Sequence, residues 1–165
     1  MIFRLWAQAC ALVPGGIGDY LRIAYYRLTL EDCALESRIQ FGSFFAHPQA
    51  VLGKGVYIGA YTILGRTTIG ERTQIASSVQ VLSGRRQHER DSQGRIQGGN
   101  LDLFERVTIG SDCWIGAGAI IMADIGNGTT IGAGAVVTKP IPGESVAVGN
   151  PARVIKGLGS EPTPC

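Results

Sequence analysis

Apolar residues return at every sixth position through much of this chain, and few folds accept that period. One array runs from Ile39 through Phe45, Val51, Tyr57, Ile63, Ile69 and Ile75 to Val81. A second comprises Ile109, Ile115 and Ile121, and a third, Ile125, Ile131 and Val137, resets after a gap of four. A helix needs a period of about 3.6 and a half-buried strand a period of about 2, so a strict six describes neither as a long element.

A triangular coil fits, each hexapeptide supplying one short strand and one corner with the recurring apolar residue inside. A small residue follows that position in Ile69-Gly70, Ile75-Ala76, Ile109-Gly110, Ile115-Gly116 and Ile131-Gly132. Four positions after it stands another small or β-branched residue, as in Thr73, Cys113, Ala119, Thr129 and Ala135. Small residues let the backbone turn sharply, and the 24 glycines in 165 residues, roughly twice ordinary usage, belong to the same pattern. Successive turns then stack as parallel strands about 4.8 Å apart around an apolar column.

Ahead of the coil, residues 1–35 read as a helical cap. One short helix places Ile2, Leu5, Trp6, Ala9 and Val13 on one face and stops at Pro14-Gly15-Gly16. The second carries a stripe of Leu21, Ala24, Tyr25 and Leu28, with Asp19 as its candidate N-cap. Such a hairpin suits the open end of a solenoid, where the first turn otherwise leaves backbone groups unpaired. The alternative is contact of residues 1–30 with a membrane surface through Phe3, Leu5 and Trp6, with Arg4, Arg22 and Arg27 at lipid phosphates. The coil domain spans 36–156, and the tail 157–165 is expected to be disordered.

Between Val81 and Val107 the repeat fails, and residues 82–106 read as a polar loop thrown out of the coil. It contains His88. Long insertions in a regular scaffold are more often functional than accidental. The other histidine, His47, lies in the early turns and is read as a surface residue outside the site.

The segments Ile109-Gly110-Ser111-Asp112-Cys113-Trp114-Ile115-Gly116-Ala117-Gly118-Ala119, Ile131-Gly132-Ala133-Gly134-Ala135-Val136-Val137-Thr138-Lys139 and Gly149-Asn150-Pro151-Ala152-Arg153-Val154-Ile155 resemble the hexapeptide-repeat acyltransferases, above all the O-acetyltransferases of polysaccharide and cell-envelope biosynthesis. The resemblance covers residues 39–155 and implies an all-β fold, a left-handed parallel β-helix. It implies acetyl-coenzyme A as co-substrate, transfer to a hydroxyl of a saccharide, and a homotrimer with active sites between subunits. His88 matches the loop histidine that serves the family as general base, a role suited to a side chain that titrates near neutral pH. Asp91 or Glu89 is the candidate to orient it. Gly116 or Ala117 would donate a backbone N–H to the oxyanion. Trp114 would shape the site beside the loop. Ala117, Gly132 and Ala133 would line the pantetheine arm, Lys139 and Arg153 would meet phosphates, and Pro151-Ala152 would approach the adenine. Ser78, Gln80, Ser83 and Arg86 are acceptor candidates, and Arg85, Arg86, Arg90 and Arg95 form a basic cluster suited to an anionic acceptor or simply to solvent. Met122-Ala123-Asp124-Ile125 is two residues shorter than the usual form, which bears on the shape of the groove for the pantetheine arm.

Rival functions are narrowed by chemistry. A γ-class carbonic anhydrase binds zinc through three histidines, and this sequence has two; no metal site is expected. About 35 residues ahead of the coil leave no room for a nucleotidyltransferase domain. A net charge of +2 gives no field suited to nucleic acid. Cys10, Cys33, Cys113 and Cys165 lack CxxC spacing, pointing to a reducing cytoplasm, and no export or membrane-spanning segment is predicted. N-acetyl transfer to an amino sugar, transfer from acyl carrier protein and a non-catalytic scaffold stay open.

Overall fold

The structure, a computed structural model, describes residues 2–157 and the side chains of residues 2–155. It is a left-handed parallel β-helix entered through two helices. The expected disordered tail falls, apart from Gly157, outside the described residues.

Helices α1 (Ile2–Ala11) and α2 (Gly15–Thr29) meet at Pro14, which sits at the N-cap of α2 in extended conformation. Its fixed φ and missing N–H cost nothing there. Asp19 is therefore inside α2 rather than capping it, and its carboxylate binds Arg22. The faces that meet the coil are not those apolar stripes. Phe3, Ala7 and Ala11 of α1 and Ile23 and Tyr26 of α2 pack on the coil, whereas Ile2, Leu5, Trp6, Leu21 and Leu28 are exposed. Both helices carry apolar residues on two sides, and periodicity alone could not say which side meets the coil.

Each turn of the coil runs through three strand positions. The first comprises β1 (Asp32–Cys33), β2 (Arg38–Ile39) and β3 (Phe44–Phe45). The second has β4 (Val51–Leu52), β5 (Tyr57–Ile58) and β6 (Ile63–Leu64), and the third β7 (Thr67–Ile69), β8 (Gln74–Ile75) and β9 (Gln80–Val81). An insertion then carries β10 (His88–Arg90) and β11 (Ile96–Gly99). The fourth turn is β12 (Val107–Ile109), β13 (Trp114–Ile115) and β14 (Ile120–Ile121). Ile125 and Ile141 continue the first face as isolated bridges, with β15 (Thr130–Ile131), β16 (Val136–Val137) and β17 (Ser145–Val148) following. Finally β18 (Arg153–Gly157) folds back antiparallel on β17 and covers that edge. Strands of equal rank stack in parallel into three faces, β1-β4-β7-β12, β2-β5-β8-β13-β15-β17 and β3-β6-β9-β14-β16.

The interior column is not quite the one the repeat suggested. Ile39 and Phe45 are buried as expected, but the column then shifts to Leu52, Ile58 and Leu64 before returning to Ile69, Ile75 and Val81. Val51 and Ile63 are half-exposed and Tyr57 exposed. Strand neighbours face opposite sides, so one extra residue in a corner swaps which of two apolar residues points inward. The corner 46–50 introduces the slip and the shorter corner 65–66 removes it.

All such changes in length fall on one edge, between the third and first faces: its corners are 46–50, 65–66, 82–106, 122–124 and 138–140. The other two edges are regular. One repeats a left-handed residue at Gly55, Arg72, Asp112, Gly128 and Glu144; the other does so at Gly42, Tyr61, Ser78, Gly118 and Gly134. On these edges the left-handed N–H donates to the adjacent turn, as in Arg72 to Lys54 O at 2.8 Å and Gly134 to Ala117 O at 2.8 Å. Buried hydroxyls supply further bonds: Ser43 Oγ donates to Gly59 O at 2.6 Å and accepts the Thr62 N–H at 2.9 Å. The short corner at 122–124 leaves the coil in register, with Ile109, Ile125 and Ile141 still bridged.

The helices close the first turn. Tyr26 Oη accepts the Phe45 N–H at 3.0 Å. Arg22, fully buried, donates through Nε to Ile39 O at 2.7 Å and through one terminal nitrogen to Cys10 O and Val13 O at 3.1 and 2.8 Å. One guanidinium thus supplies donors to carbonyls at the α1 C-terminus and at the coil edge.

Candidate active site

The insertion leaves the irregular edge through a narrow neck. Ser83 Oγ accepts the Arg66 N–H at 2.9 Å, and Ser83 O accepts the Glu105 N–H at 3.1 Å. Arg66 also donates to Phe104 O at 3.2 Å and lies over the Phe104 ring, 5.7 Å from its centroid. The other contact of that ring is His47, edge-on at 5.2 Å. Arg106 binds Glu31 at 2.6 Å, tying the neck to the start of the coil. Ser83 is buried with its hydroxyl engaged here, which removes it from the acceptor candidates.

Beyond the neck the segment is not the structureless loop the sequence suggested. Strands β10 and β11 form an antiparallel arm in which His88 stands opposite Gly99. The turn Asp91-Ser92-Gln93-Gly94 ends with Gly94 in the left-handed region, its N–H on Asp91 O at 2.9 Å. An Asp-x-x-Gly turn was the available signal for a hairpin, where glycine takes the left-handed position of a bulged turn.

Asp91 holds this tip together. Its carboxylate accepts the Arg95 N–H at 3.0 Å, Arg95 Nε at 2.8 Å, the Gln93 N–H at 2.9 Å and Gln97 Nε2 at 3.1 Å. The bonds from Arg95, first from its backbone and then from its side chain, hold the carboxyl below the ordinary carboxylate range. The folded arm favours the ionised form, so its order is present above that range and is lost as pH falls through the lowered value. Asp91→Asn, which breaks the charged bond to Arg95, is expected to raise amide exchange across 88–99 at neutral pH. Turnover should fall by about tenfold, the scale of a misplaced reacting group, with the melting temperature unchanged.

Neither Asp91 nor Glu89 reaches His88: Glu89 accepts from Asn100 Nδ2 at 3.3 Å instead. His88 Nδ1 lies 3.0 Å from the Gln97 carbonyl oxygen. A carbonyl only accepts, so Nδ1 carries the proton in this bond, and in the neutral ring the lone pair is then on Nε2; the residue is exposed. Orientation by a backbone carbonyl was invisible to a search for carboxylates, because that atom carries no residue identity.

The cofactor candidates divide between two edges. Ala117 and Ala133 are exposed on the regular edge between the second and third faces, where Gly116 packs so closely that a Cβ would lie 2.4 Å from Ala133 N. The Gly116 N–H donates to Ile131 O at 2.8 Å. It is therefore committed to the ladder and cannot serve an oxyanion; Ala117 is the surviving donor candidate. Gly132 lies below, against Val148, and Ala152 is buried, its N–H on Val136 O at 2.8 Å. Pro151 and Arg153 are exposed at this end. Lys139 is exposed on the irregular edge, where Arg85, Glu105, Met122, Asp124 and Pro140 line a small cleft below the neck. Trp114, 58 % exposed, belongs to the second face, so within one chain it is not beside the arm. Ser78 is exposed at a left-handed corner, Gln80 is half-buried on β9, and Arg86 is exposed beyond the neck.

A left-handed parallel β-helix of stacked hexapeptides is the fold of hexapeptide-repeat acetyltransferases, and the chain has that fold. Residues 106–139 carry the family's repeat and match "Bacterial transferase hexapeptide (six repeats)". Serine acetyltransferase 4 of Arabidopsis thaliana is 36% identical over 150 residues, covering 82% of this chain, and the chain spans only 39% of that relative. A maltose O-acetyltransferase from Clostridium difficile shares the fold with a TM-score of 0.56 and 26% identity, covering 94% of this chain and 86% of its own. An N-acyltransferase from Bacillus cereus, solved with dTDP-4-amino-4,6-dideoxyglucose and coenzyme A, gives a TM-score of 0.60 at 21% identity, covering 73% and 69%.

Proposed function

We propose that the protein is an acetyl-coenzyme-A-dependent O-acetyltransferase acting on a hydroxyl of a saccharide or related acceptor, with His88 as general base. The observation that carries this reading is the His88 imidazole, fixed through Nδ1 on the Gln97 carbonyl with Nε2 free to take a proton. As the acceptor hydroxyl attacks the thioester carbonyl, Nε2 removes its proton. The tetrahedral oxyanion needs a backbone donor, for which the exposed Ala117 amide is the candidate. Collapse expels the coenzyme A thiolate, which takes up the proton. The arm and the Ala117–Ala133 column occupy different edges of one coil, which favours a homotrimer in which one subunit supplies the base and its neighbour the donor groups. A cytoplasmic location fits the free thiols of Cys10, Cys33 and Cys113.

The test is thiol release from acetyl-coenzyme A across a panel of sugars, amino sugars and nucleotide sugars. Release with hydroxyl acceptors supports the proposal. Release only with amino sugars reassigns the reaction to N-acetyl transfer, and binding of neither coenzyme A nor any acceptor removes it.

A further inference from the structure

The two helices present more apolar surface than their contact with the coil uses. On α1, Ile2, Leu5 and Trp6 lie on one exposed stripe, with Trp6 57 % exposed and Leu12, just past the helix, exposed as well. On α2, Ile17, Tyr20, Leu21 and Leu28 form another at positions i, i+3, i+4 and i+11, with Leu28 85 % exposed. Isolated exposed apolar residues are ordinary, but a helical stripe of large ones marks a surface that meets something apolar.

Charge narrows the occupant. Residues 2–30 contain one acid, Asp19, and it is bonded to the buried Arg22. Arg4 is exposed and has no hydrogen-bond or ionic partner among the described residues, and the same holds for Arg85 and Arg86 at the neck. Large apolar side chains with Trp and unpaired Arg, and without free acids, are the composition of a helix lying in a bilayer interface. Among the described residues no helix is long and apolar enough to cross a membrane.

Position adds a second argument. Arg4 is near enough to His47 to disfavour its charged form, after burial and together with Arg66. His47 in turn touches Phe104 at the neck of the His88 arm. Arg4 of the helices and the neck of the arm thus lie near the same residue, His47.

We infer that α1 and α2 form an interfacial docking element that holds this protein, His88 arm included, on an anionic lipid surface. Arg22, expected from sequence to meet lipid phosphates, is instead buried inside this element, and Phe3 packs inward; Leu5, Trp6 and Arg4 are the residues that contact the bilayer.

The experiment is sedimentation of the full chain with vesicles of phosphatidylcholine alone and of phosphatidylcholine mixed with phosphatidylglycerol, in the absence of any acyl donor. Binding to the mixed vesicles is expected, weakened by salt. The double substitution Leu5→Glu/Trp6→Glu is expected to lower partitioning by tenfold or more, and Arg4→Gln by roughly fivefold. His88→Ala should bind as the parent does, so the docking stands or falls separately from the acyl-transfer reading. Light scattering and thermal melts on each variant complete the test. Failure of the parent to sediment, equal binding to neutral vesicles, or a changed oligomeric state in Leu5→Glu/Trp6→Glu, which would make the stripe a subunit contact, overturns the inference.

Discussion

His88→Ala is expected to melt at the temperature of the parent, to bind coenzyme A as the parent does, and to lose thiol release by about 10²- to 10⁴-fold, the range that positioned general bases contribute. The expectation of an unchanged melting temperature comes from the residue's surroundings. The ring is exposed, and its one hydrogen bond is to the Gln97 carbonyl, which water can satisfy in the variant. His88→Asn sharpens the result, because asparagine can still donate to that carbonyl yet cannot take a proton. Equal loss in both variants, measured by initial rates under saturating donor, assigns the effect to proton transfer. Substantial activity in His88→Asn moves the base elsewhere.

The largest stability effect is expected at Arg22. Arg22→Met removes the guanidinium donor from the carbonyls of Ile39 and Val13, leaves Cys10 O with only the Val13 N–H, and leaves Asp19 with only Gln40. Unsatisfied buried acceptors cost about 1–3 kcal/mol each, and the partly exposed Asp19, which keeps water and Gln40, adds less than a buried pair would, so a net loss of about 4 kcal/mol is expected. For a domain of this size that lowers the melting temperature by roughly 10 °C. Scanning calorimetry checks it, with Arg27→Met as control: Arg27 pairs with Asp32 at the surface, where such pairs contribute little. Equal melting temperatures for Arg22→Met and the parent would mean that α1 and the first turn are held by packing alone.

The period of six made the coil readable, because it records a physical repeat of one strand and one corner. It could not choose between Val51-Leu52, Tyr57-Ile58 or Ile63-Leu64, where two adjacent apolar residues compete for the inside and the choice depends on a corner some residues away. The helices show the same limit: they carry apolar side chains on two sides, the sequence does not say which side meets the coil, and the richer side faces out. At the site, His88 was legible as the histidine of the interruption. Its orienting partner was not, since a backbone carbonyl has no letter, and neither was the loss of Gly116 as an oxyanion donor, which follows from its place in the ladder. Ser83 was misjudged because a hydroxyl next to a loop can serve the scaffold as well as a ligand.

Concentrating every change of length on a single edge has a consequence for how such a chain can diversify. On the two regular edges the corners from Tyr61 onward are tied by their own N–H groups to the turn beside them, so an added residue there would disturb its neighbours. On the third edge, corners from two residues to twenty-five close over the same strands without shifting their register. That edge behaves as a socket: new segments can be fitted at 122–124 or 138–140, beside the arm, and change what the protein recognises while leaving the scaffold that folds it untouched.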